Sequence, residues 1–352
     1  MNIKSNLKEY EVIIEEGFGF IHELIQKDNI LLVIDKNVYE IYYDKLFKDI
    51  DEDKIYIVEA IEQNKTIETA LKICERMTSI PAKRNSHLIS MGGGIIQDLT
   101  GFAANILYRG VLWTFVPTTL LAACDSCIGG KTSLNYLQYK NLLGTFYPPD
   151  SIHICSEFFQ TLTERDFQSG LGEVVKFNVM YGEEGLVKIE SNIDRLLNRE
   201  KPILDECIVS SLAFKKPFIE EDEFDKGIRI HLNFAHTFGH AFESMSQYVI
   251  PHGTAVAMGT IVANRISMQR GMLSNEMVVR MEAVLKKIIH VELNDIKFDI
   301  DKIINAIRND KKQTSQNLTA ILLDENMKLG IYRDIKKEEI KEAVEYLFQM
   351  LS

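Results

Sequence analysis

Residues 86–105 read SHLISMGGGIIQDLTGFAAN, an apolar run, three glycines, and a helical pattern that opens with Gln97 and Asp98. Glycine lets a backbone turn tightly and approach a phosphate, while a helix N-terminus offers unpaired N–H groups and a favourable dipole. A strand, glycine turn and helix in this order belong to an α/β domain. A dinucleotide pyrophosphate is the ligand that suits the turn best; a plain strand–helix connection is the alternative. The spacing departs from G-x-G-x-x-G, because Gln97 stands where the third glycine belongs. The glycines also follow the fourth strand rather than the first, so this is not an ordinary Rossmann domain.

Outward from that turn, residues 10–15 (YEVIIE), 30–34 (ILLVI), 54–58 (KIYIV), 111–116 (VLWTFV) and 151–155 (SIHIC) read as further strands. Helical patterns such as 66–77 (TIETALKICERM) lie between them, an alternation that implies a mostly parallel sheet covered by helices. Beyond residue 157 a 3.6-residue period dominates, over 170–180, 203–214, 254–270, 275–289 and 337–351. In the last of these, Ile340, Ala343, Val344, Leu347, Phe348 and Leu351 share one face, which docks on a core. The expectation is a Rossmann-like α/β domain over 1–156 followed by an all-α domain over 157–352.

Composition narrows the function. The chain is 46% apolar and 26% charged, a soluble globular profile, and its net charge of −11 argues against a nucleic-acid partner. The start, MNIKSNLKEYEVIIEEG, has acids where a secretory core would be apolar, and no stretch is long enough to span a membrane. Five scattered cysteines fit a reducing cytoplasm rather than a disulfide framework. Cys124-x-x-Cys127 lacks the second pair of a structural zinc site.

Several side chains can carry chemistry. Asp35 ends a strand, where acids bond ribose hydroxyls or simply cap a helix. Residues 116–135, VPTTLLAACDSCIGGKTSLN, end in Gly129-Gly130-Lys131-Thr132, which looks like the close of a phosphate loop. Asp125 stands where that loop needs a glycine, so a triphosphate site is excluded and an anion seat remains. Glu173 and Lys176 lie three apart on a helix, as a structural ion pair would. Residues 233–253, NFAHTFGHAFESMSQYVIPHG, hold His236, His240 and His252. Three protein ligands and an open position mark a catalytic zinc site, and by spacing alone His236 and His240 are the natural pair.

Taken together, GGGIIQDLTGFAA, YRGV, PTTLLAACDSCIGGKT, YKNLLGTFYPP, TLTERDFQSGLGEVVK, DEFDKGIR, LNFAHTFGHAFE and HG, in this order, resemble the 3-dehydroquinate synthases within the sugar phosphate cyclases. The resemblance runs from about Asp35 to Asp310-Lys311-Lys312. It implies a dehydroquinate synthase-like fold, NAD, and a divalent metal, zinc or alternatively cobalt, held by Glu173, His236 and His252. His240 would then line the substrate pocket instead of binding metal. The resemblance assigns Asp35, Glu62, Lys65, Gly93, Gly94, Thr118 and Thr119 to NAD. Asp98, Asp125, Lys140 and Lys176 would surround the nicotinamide and the reacting carbons. Lys131, Asn141, Lys215, Arg229, Asn233 and one of Lys311 or Lys312 would hold the phosphate and carboxylate. Arg109 would reach the site of a second subunit, which implies a homodimer.

The implied reaction converts 3-deoxy-arabino-heptulosonate 7-phosphate to 3-dehydroquinate and phosphate by oxidation, elimination, reduction and aldol closure. So anionic a substrate needs clustered cations even in an acidic protein. This chain departs from the family's usual pattern at Ala235, Thr254, Gln97 and Cys127. Three alternatives remain: a cyclase acting on sedoheptulose 7-phosphate or a related sugar phosphate, a metal-dependent polyol dehydrogenase, and a non-catalytic relative.

Overall fold

The computed structural model describes residues 1–27, 29–80, 85–291, 299–308 and 318–351. The chain divides into two compact units, Met1–Thr161 with Ile219–Phe224, and Leu162–Phe218 with Asp225–Ser352. The first therefore takes back a short segment from far along the chain, which the sequence pattern does not announce.

The first unit runs β1 (Asn2–Ile3), β2 (Tyr10–Ile14), α1 (Gly19–Ile25), β3 (Ile30–Asp35), α2 (Lys36–Tyr42) and β4 (Ile55–Val58). It continues with α3 (Ile67–Ser79), β5 (His87–Gly92), α4 (Gly94–Ile106), β6 (Leu112–Pro117), β7 (Lys131–Tyr136), β8 (Tyr139–Phe146) and β9 (Ser151–Ile154). Seven strands form one sheet in the order β1-β2-β9-β6-β5-β3-β4, parallel throughout except for the β1–β2 pair. Ile30, Leu31, Leu32, Val33 and Ile34 of β3 are wholly buried, as a central strand covered on both faces requires.

The chain reverses its winding between β3 and β5, so a crevice opens at their carboxyl ends, the usual ligand position in an open parallel sheet. Asp35 ends β3 and Gly92 ends β5, which places both on that edge. Strands β7 and β8 form a separate antiparallel hairpin, which the sequence analysis read only as glycine turn and loop.

The second unit runs α5 (Glu164–Met180), α6 (Glu183–Leu197), α7 (Lys201–Glu221), α8 (His236–Met245), α9 (His252–Gln269), α10 (Asn275–Ile288) and α11 (Ile300–Arg308). It closes with β10 (Leu318–Leu323), β11 (Leu329–Ile335) and α12 (Lys337–Leu351). The last three residues of α7 cross the division, since Ile219 onward counts with the first unit. Helix α9 is buried nearly all round, from Gly253 to Ser267, and is the hub of the bundle. The β10–β11 hairpin is an addition to the helical pattern expected here. Among the described residues, no helix is long and apolar enough to cross a membrane, and none of the five cysteines forms a disulfide.

Candidate active site

In the α/β unit the glycine turn works through space rather than through unusual dihedrals. Gly93 has φ −84°, which any residue adopts, and none of the three glycines has positive φ. A Cβ on Gly92 would lie 2.5 Å from Ile96 Cγ1, and one on Gly93 would lie 3.1 Å from Thr119 Cγ2. Gly93 is the N-cap of α4 and supplies no side-chain cap to the first-turn N–H groups, as suits an anion seat. Thr118 N–H donates to the Gly92 carbonyl at 2.9 Å and ties the end of β6 to the turn. By contrast Gly129 (φ 103°) and Gly130 (φ 63°), just before Lys131, do need glycine's conformational freedom.

Gln97, out of place in a dinucleotide fingerprint, has a local role. Its Nε2 donates to the Ser126 carbonyl at 2.7 Å while Ser126 Oγ donates to its Oε1 at 2.6 Å. This reciprocal pair holds the Ala122–Ser126 segment that carries Asp125. Asp35 caps α2, accepting from Asn37 N–H at 3.0 Å.

Polar groups then gather beside α4. Lys65 Nζ lies 2.5 Å from Asp98 Oδ2 and donates to Asn141 Oδ1 at 2.7 Å. Ser133 gives Asp98 its N–H at 2.9 Å and its hydroxyl at 3.0 Å. Glu62 Oε1 accepts from Asn135 Nδ2 at 2.8 Å, and Asn135 Oδ1 accepts from Asn141 N–H at 2.9 Å. Burial pushes the Asp98 carboxyl upward, opposed by Lys65 and Ser133. The hairpin thus brings Lys65, Asp98 and Asn141 together, with Ser133 and Asn135 as partners that the sequence analysis missed. Lys131 and Lys140 are exposed on the same hairpin. Arg109 is also exposed, on a strained turn where Tyr108 (φ 52°) and Arg109 (φ 65°) are both left-handed.

In the helical unit, three helices supply the second cluster. Glu173 sits mid-way along α5, His236 opens α8 and His252 opens α9. Donor atoms of these three lie within 4.8 Å of one another. His252 Nε2 is 3.2 Å and His236 Nε2 3.4 Å from the same oxygen, Glu173 Oε1. Their approach depends on glycines: a Cβ on Gly253 would overlap the Ser169 carbonyl oxygen, and one on Gly172 would overlap the Gly253 carbonyl. Helices α5 and α9 therefore touch backbone to backbone, one residue from each ligand.

Ala235, the N-cap of α8, is left-handed at φ 68°, a conformation that costs a side-chain-bearing residue about 1–2 kcal/mol. It turns the chain so that His236 Nδ1–H donates to the Phe234 carbonyl at 3.0 Å, leaving Nε2 toward Glu173. This geometry is why glycine suits the position. Thr254 is buried in the first turn of α9.

The electrostatics are those of a dense buried cluster. Lys176 Nζ is 2.6 Å from Glu173 Oε2 and donates to the Leu232 carbonyl at 3.2 Å. Burial would raise the Glu173 carboxyl, but Lys176 and His236 hold it well below the usual carboxylate range. Burial and Lys176 lower His236 to about 4. His252 goes the other way, up to about 10, because Glu173 and Glu243 outweigh its burial. Glu243 Oε2 accepts from His252 Nδ1 at 3.1 Å, an orienting partner that the sequence analysis also missed. The signal was present: Glu243 follows His236 and His240 at i+7 and i+3, on one face of α8.

The residues fit a metal ion. Both Glu173 oxygens are buried with no well-aligned hydrogen bond, and each ligand histidine spends its other nitrogen on a protein acceptor. Two imidazoles and a carboxylate are a donor set that suits zinc. His240, the sequence neighbour of His236, does not group with Glu173, although its ring lies as near to that of His236 as the His252 ring does, 5.3 Å in both cases. With Glu243 and His252 it makes a second, more exposed group. Lys215 and Arg229 are buried in the same unit, and Asn233 Nδ2 donates to the Ile230 carbonyl at 3.1 Å. Lys311 and Lys312 lie outside the described residues.

Comparison with known proteins extends this geometry. The profile for the 3-dehydroquinate synthase N-terminal domain matches residues 55–169, and that for the C-terminal domain residues 170–313. A 3-dehydroquinate synthase of Clostridium tetani is 38% identical over 92% of this chain and 87% of its own. The structure resembles 2-epi-5-epi-valiolone synthase from Streptomyces hygroscopicus subsp. jinggangensis, solved with NAD+ and Zn2+ (TM-score 0.83, 22% identity, 98% and 99% of the two chains). It also resembles 2-deoxy-scyllo-inosose synthase complexed with carbaglucose-6-phosphate, NAD+ and Co2+ (TM-score 0.79, 25% identity, 98% of each chain).

Proposed function

The chain belongs to the 3-dehydroquinate synthase family, and from that premise we propose that it converts 3-deoxy-arabino-heptulosonate 7-phosphate to 3-dehydroquinate and phosphate, using NAD and a divalent metal. The observation that carries the reading is the convergence of Glu173, His236 and His252 within 4.8 Å in the helical unit that also buries Lys176, Lys215 and Arg229.

When bound, the metal supplies Lewis-acid polarisation of a substrate hydroxyl, and NAD supplies a reversible hydride acceptor. Glu173, His236 and His252 would hold the metal, with the Phe234 carbonyl and Glu243 fixing the two rings. The open α4 N-terminus with Gly93 and Gly94, and Asp35, Glu62, Lys65, Thr118 and Thr119, would hold NAD. Asp98, Asp125, Lys140 and Lys176 are assigned to the nicotinamide and the reacting carbons. Lys131, Asn141, Lys215, Arg229, Asn233 and His240 are assigned to the substrate's anionic groups. Buried cations act strongly here, because little solvent screens them and they need not reorganise as charge develops. The chain's remaining task is to hold substrate in a reactive geometry.

Arg109, exposed on its left-handed turn, would serve the site of a second copy, so the working form is a homodimer. We place the enzyme in the cytoplasm, with no membrane or nucleic-acid partner.

The test is direct. Purified, metal-loaded protein with NAD should release phosphate and form 3-dehydroquinate from 3-deoxy-arabino-heptulosonate 7-phosphate. Turnover of sedoheptulose 7-phosphate alone would move the assignment to another cyclase, and net NADH from a polyol would move it to a dehydrogenase. His252→Ala should lose tightly bound metal, whereas His240→Ala should keep metal and turn over poorly. Equal metal loss in both would overturn the division of labour among the histidines.

A further inference from the structure

The helical unit also holds a pocket of about 390 Å³ lined by none of the residues assigned to the reaction. Tyr181, Phe214, Phe218 and Ile228 give it apolar walls, while His231 and Lys328 supply polar atoms at its rim. Tyr181 and Ile228 are 48% and 37% exposed, so apolar surface lies open at the pocket. The rings of Phe214 and Phe218 stand 5.3 Å apart, and Tyr181 is 6.3 Å from Phe214, so a flat ring finds faces and edges to pack on. None of the lining residues is acidic. His231 spends Nδ1 on the Ile228 carbonyl at 2.8 Å, and Lys328 is exposed on the turn between β10 and β11.

The pocket walls are also the carriers of the substrate-facing cations. Phe214 and Phe218 flank Lys215 on α7, and Ile228 and His231 flank Arg229 in the Ile228–Asn233 turn. One wholly buried ring, Phe177, separates the two sides. It lies 6.4 Å from Phe214 and has Lys176 Nζ 4.0 Å and Lys215 Nζ 5.9 Å from its centroid. The geometry points to a second binding site for a small aromatic carboxylate, coupled to the anion site through Phe214, Phe177 and the Ile228–Asn233 turn. The aromatic ring packs on Phe214, Phe218 and Tyr181, and the carboxylate meets Lys328 and His231. An occupant fills space against these walls without displacing them, so it steadies Lys215 and Arg229 and tightens anion binding. Only the meaning of that coupling rests on the functional reading above; the site itself does not.

The test uses full-length protein and 3-phenylpropanoate, titrated by calorimetry, with 3-phenylpropan-1-ol as its neutral counterpart. The acid should bind saturably with Kd of about 1 mM or tighter, and the alcohol about tenfold more weakly. Tyr181→Ala should weaken both compounds, whereas Lys328→Glu should weaken the acid by about tenfold and leave the alcohol unchanged. Saturating acid should tighten inorganic phosphate binding by about threefold, and phosphate should tighten the acid by the same factor. Absence of saturable binding, or binding indifferent to both substitutions, would overturn the site. Unchanged or weakened phosphate affinity would overturn the coupling. Because these titrations need no turnover, failure to make 3-dehydroquinate would sink the functional reading and leave them standing.

Discussion

The glycine turn of the α/β unit and the histidine cluster of the helical unit are both built where glycines allow a close approach, but with very different tolerance. At the turn, a Cβ on Gly93 would meet a threonine methyl at 3.1 Å, a contact that a small side-chain shift relieves. Between α5 and α9, a Cβ on Gly253 would overlap backbone, which cannot move without moving a helix. The charges differ in the same sense. Lys65, Asp98, Ser133 and Asn141 satisfy one another between α4 and the β7–β8 hairpin. Glu173 and Lys176 sit in a fully buried pair whose geometry depends on three helices staying in place. A site on strand ends inherits its precision from the sheet; a site between helices must obtain it from close packing.

The largest test of that contrast is a matched pair of alanine substitutions. Gly253→Ala should cost more than about 5 kcal/mol or prevent folding of the helical unit, while Gly93→Ala should cost below about 1 kcal/mol. Thermal unfolding decides it, and comparable losses in both variants would erase the distinction.

Next in size is Glu173→Gln, which leaves Lys176 buried without its counter-charge and should destabilise the metal-free protein by about 3–5 kcal/mol. Glu173→Gln with Lys176→Met should recover much of that loss while metal binding stays absent. Denaturant unfolding of both variants measures the recovery.

The third test reads proton competition at the metal ligands. His252, held up to about 10, carries a proton at neutral pH, which an incoming metal must displace, while His236 at about 4 carries none. Metal affinity should therefore rise about a hundredfold between about pH 6 and pH 8, with close to one proton released per ion, measured by calorimetry in buffers of different ionisation heat. Without metal the sign reverses. A raised pKa contributes stability that is complete below the unfolded value of 6.5 and is lost as pH climbs toward 10. A metal affinity independent of pH would contradict this placement of the proton.

The smallest effect should come from the α/β side. Gln97→Ala removes a reciprocal pair with Ser126 and should cost about 1–2 kcal/mol, with weakened NAD binding as the more sensitive readout. A larger loss than Glu173→Gln would invert the comparison.

The α/β unit was largely legible along the chain because its chemistry follows contiguous motifs. The strand–glycine–helix signal, the alternation of apolar runs and the strand-end Asp35 all survive in three dimensions. The β7–β8 hairpin was not legible, since exposed residues such as Leu137, Tyr139 and Leu142 blur the period-two pattern. In the helical unit the helices were visible from their 3.6-residue period, including the last one over Lys337–Leu351. By spacing alone, however, His236 and His240 looked like the metal pair; only the family resemblance grouped His236 with His252 and Glu173. Helix spacing tells which side chains share a face, but it carries no information on which face meets another helix.

The amino-acid order by itself thus determined most of the helices and sheet strands and the stock of titratable groups, because periodicity and turn chemistry act over a few residues. Spacing along the chain could not place Glu173, His236 and His252 together apart from His240; the tertiary structure supplies the physical reason. That convergence depends on Gly172 and Gly253 letting α5 and α9 touch, and on the left-handed Ala235 aiming a ring at a carboxylate far away in sequence.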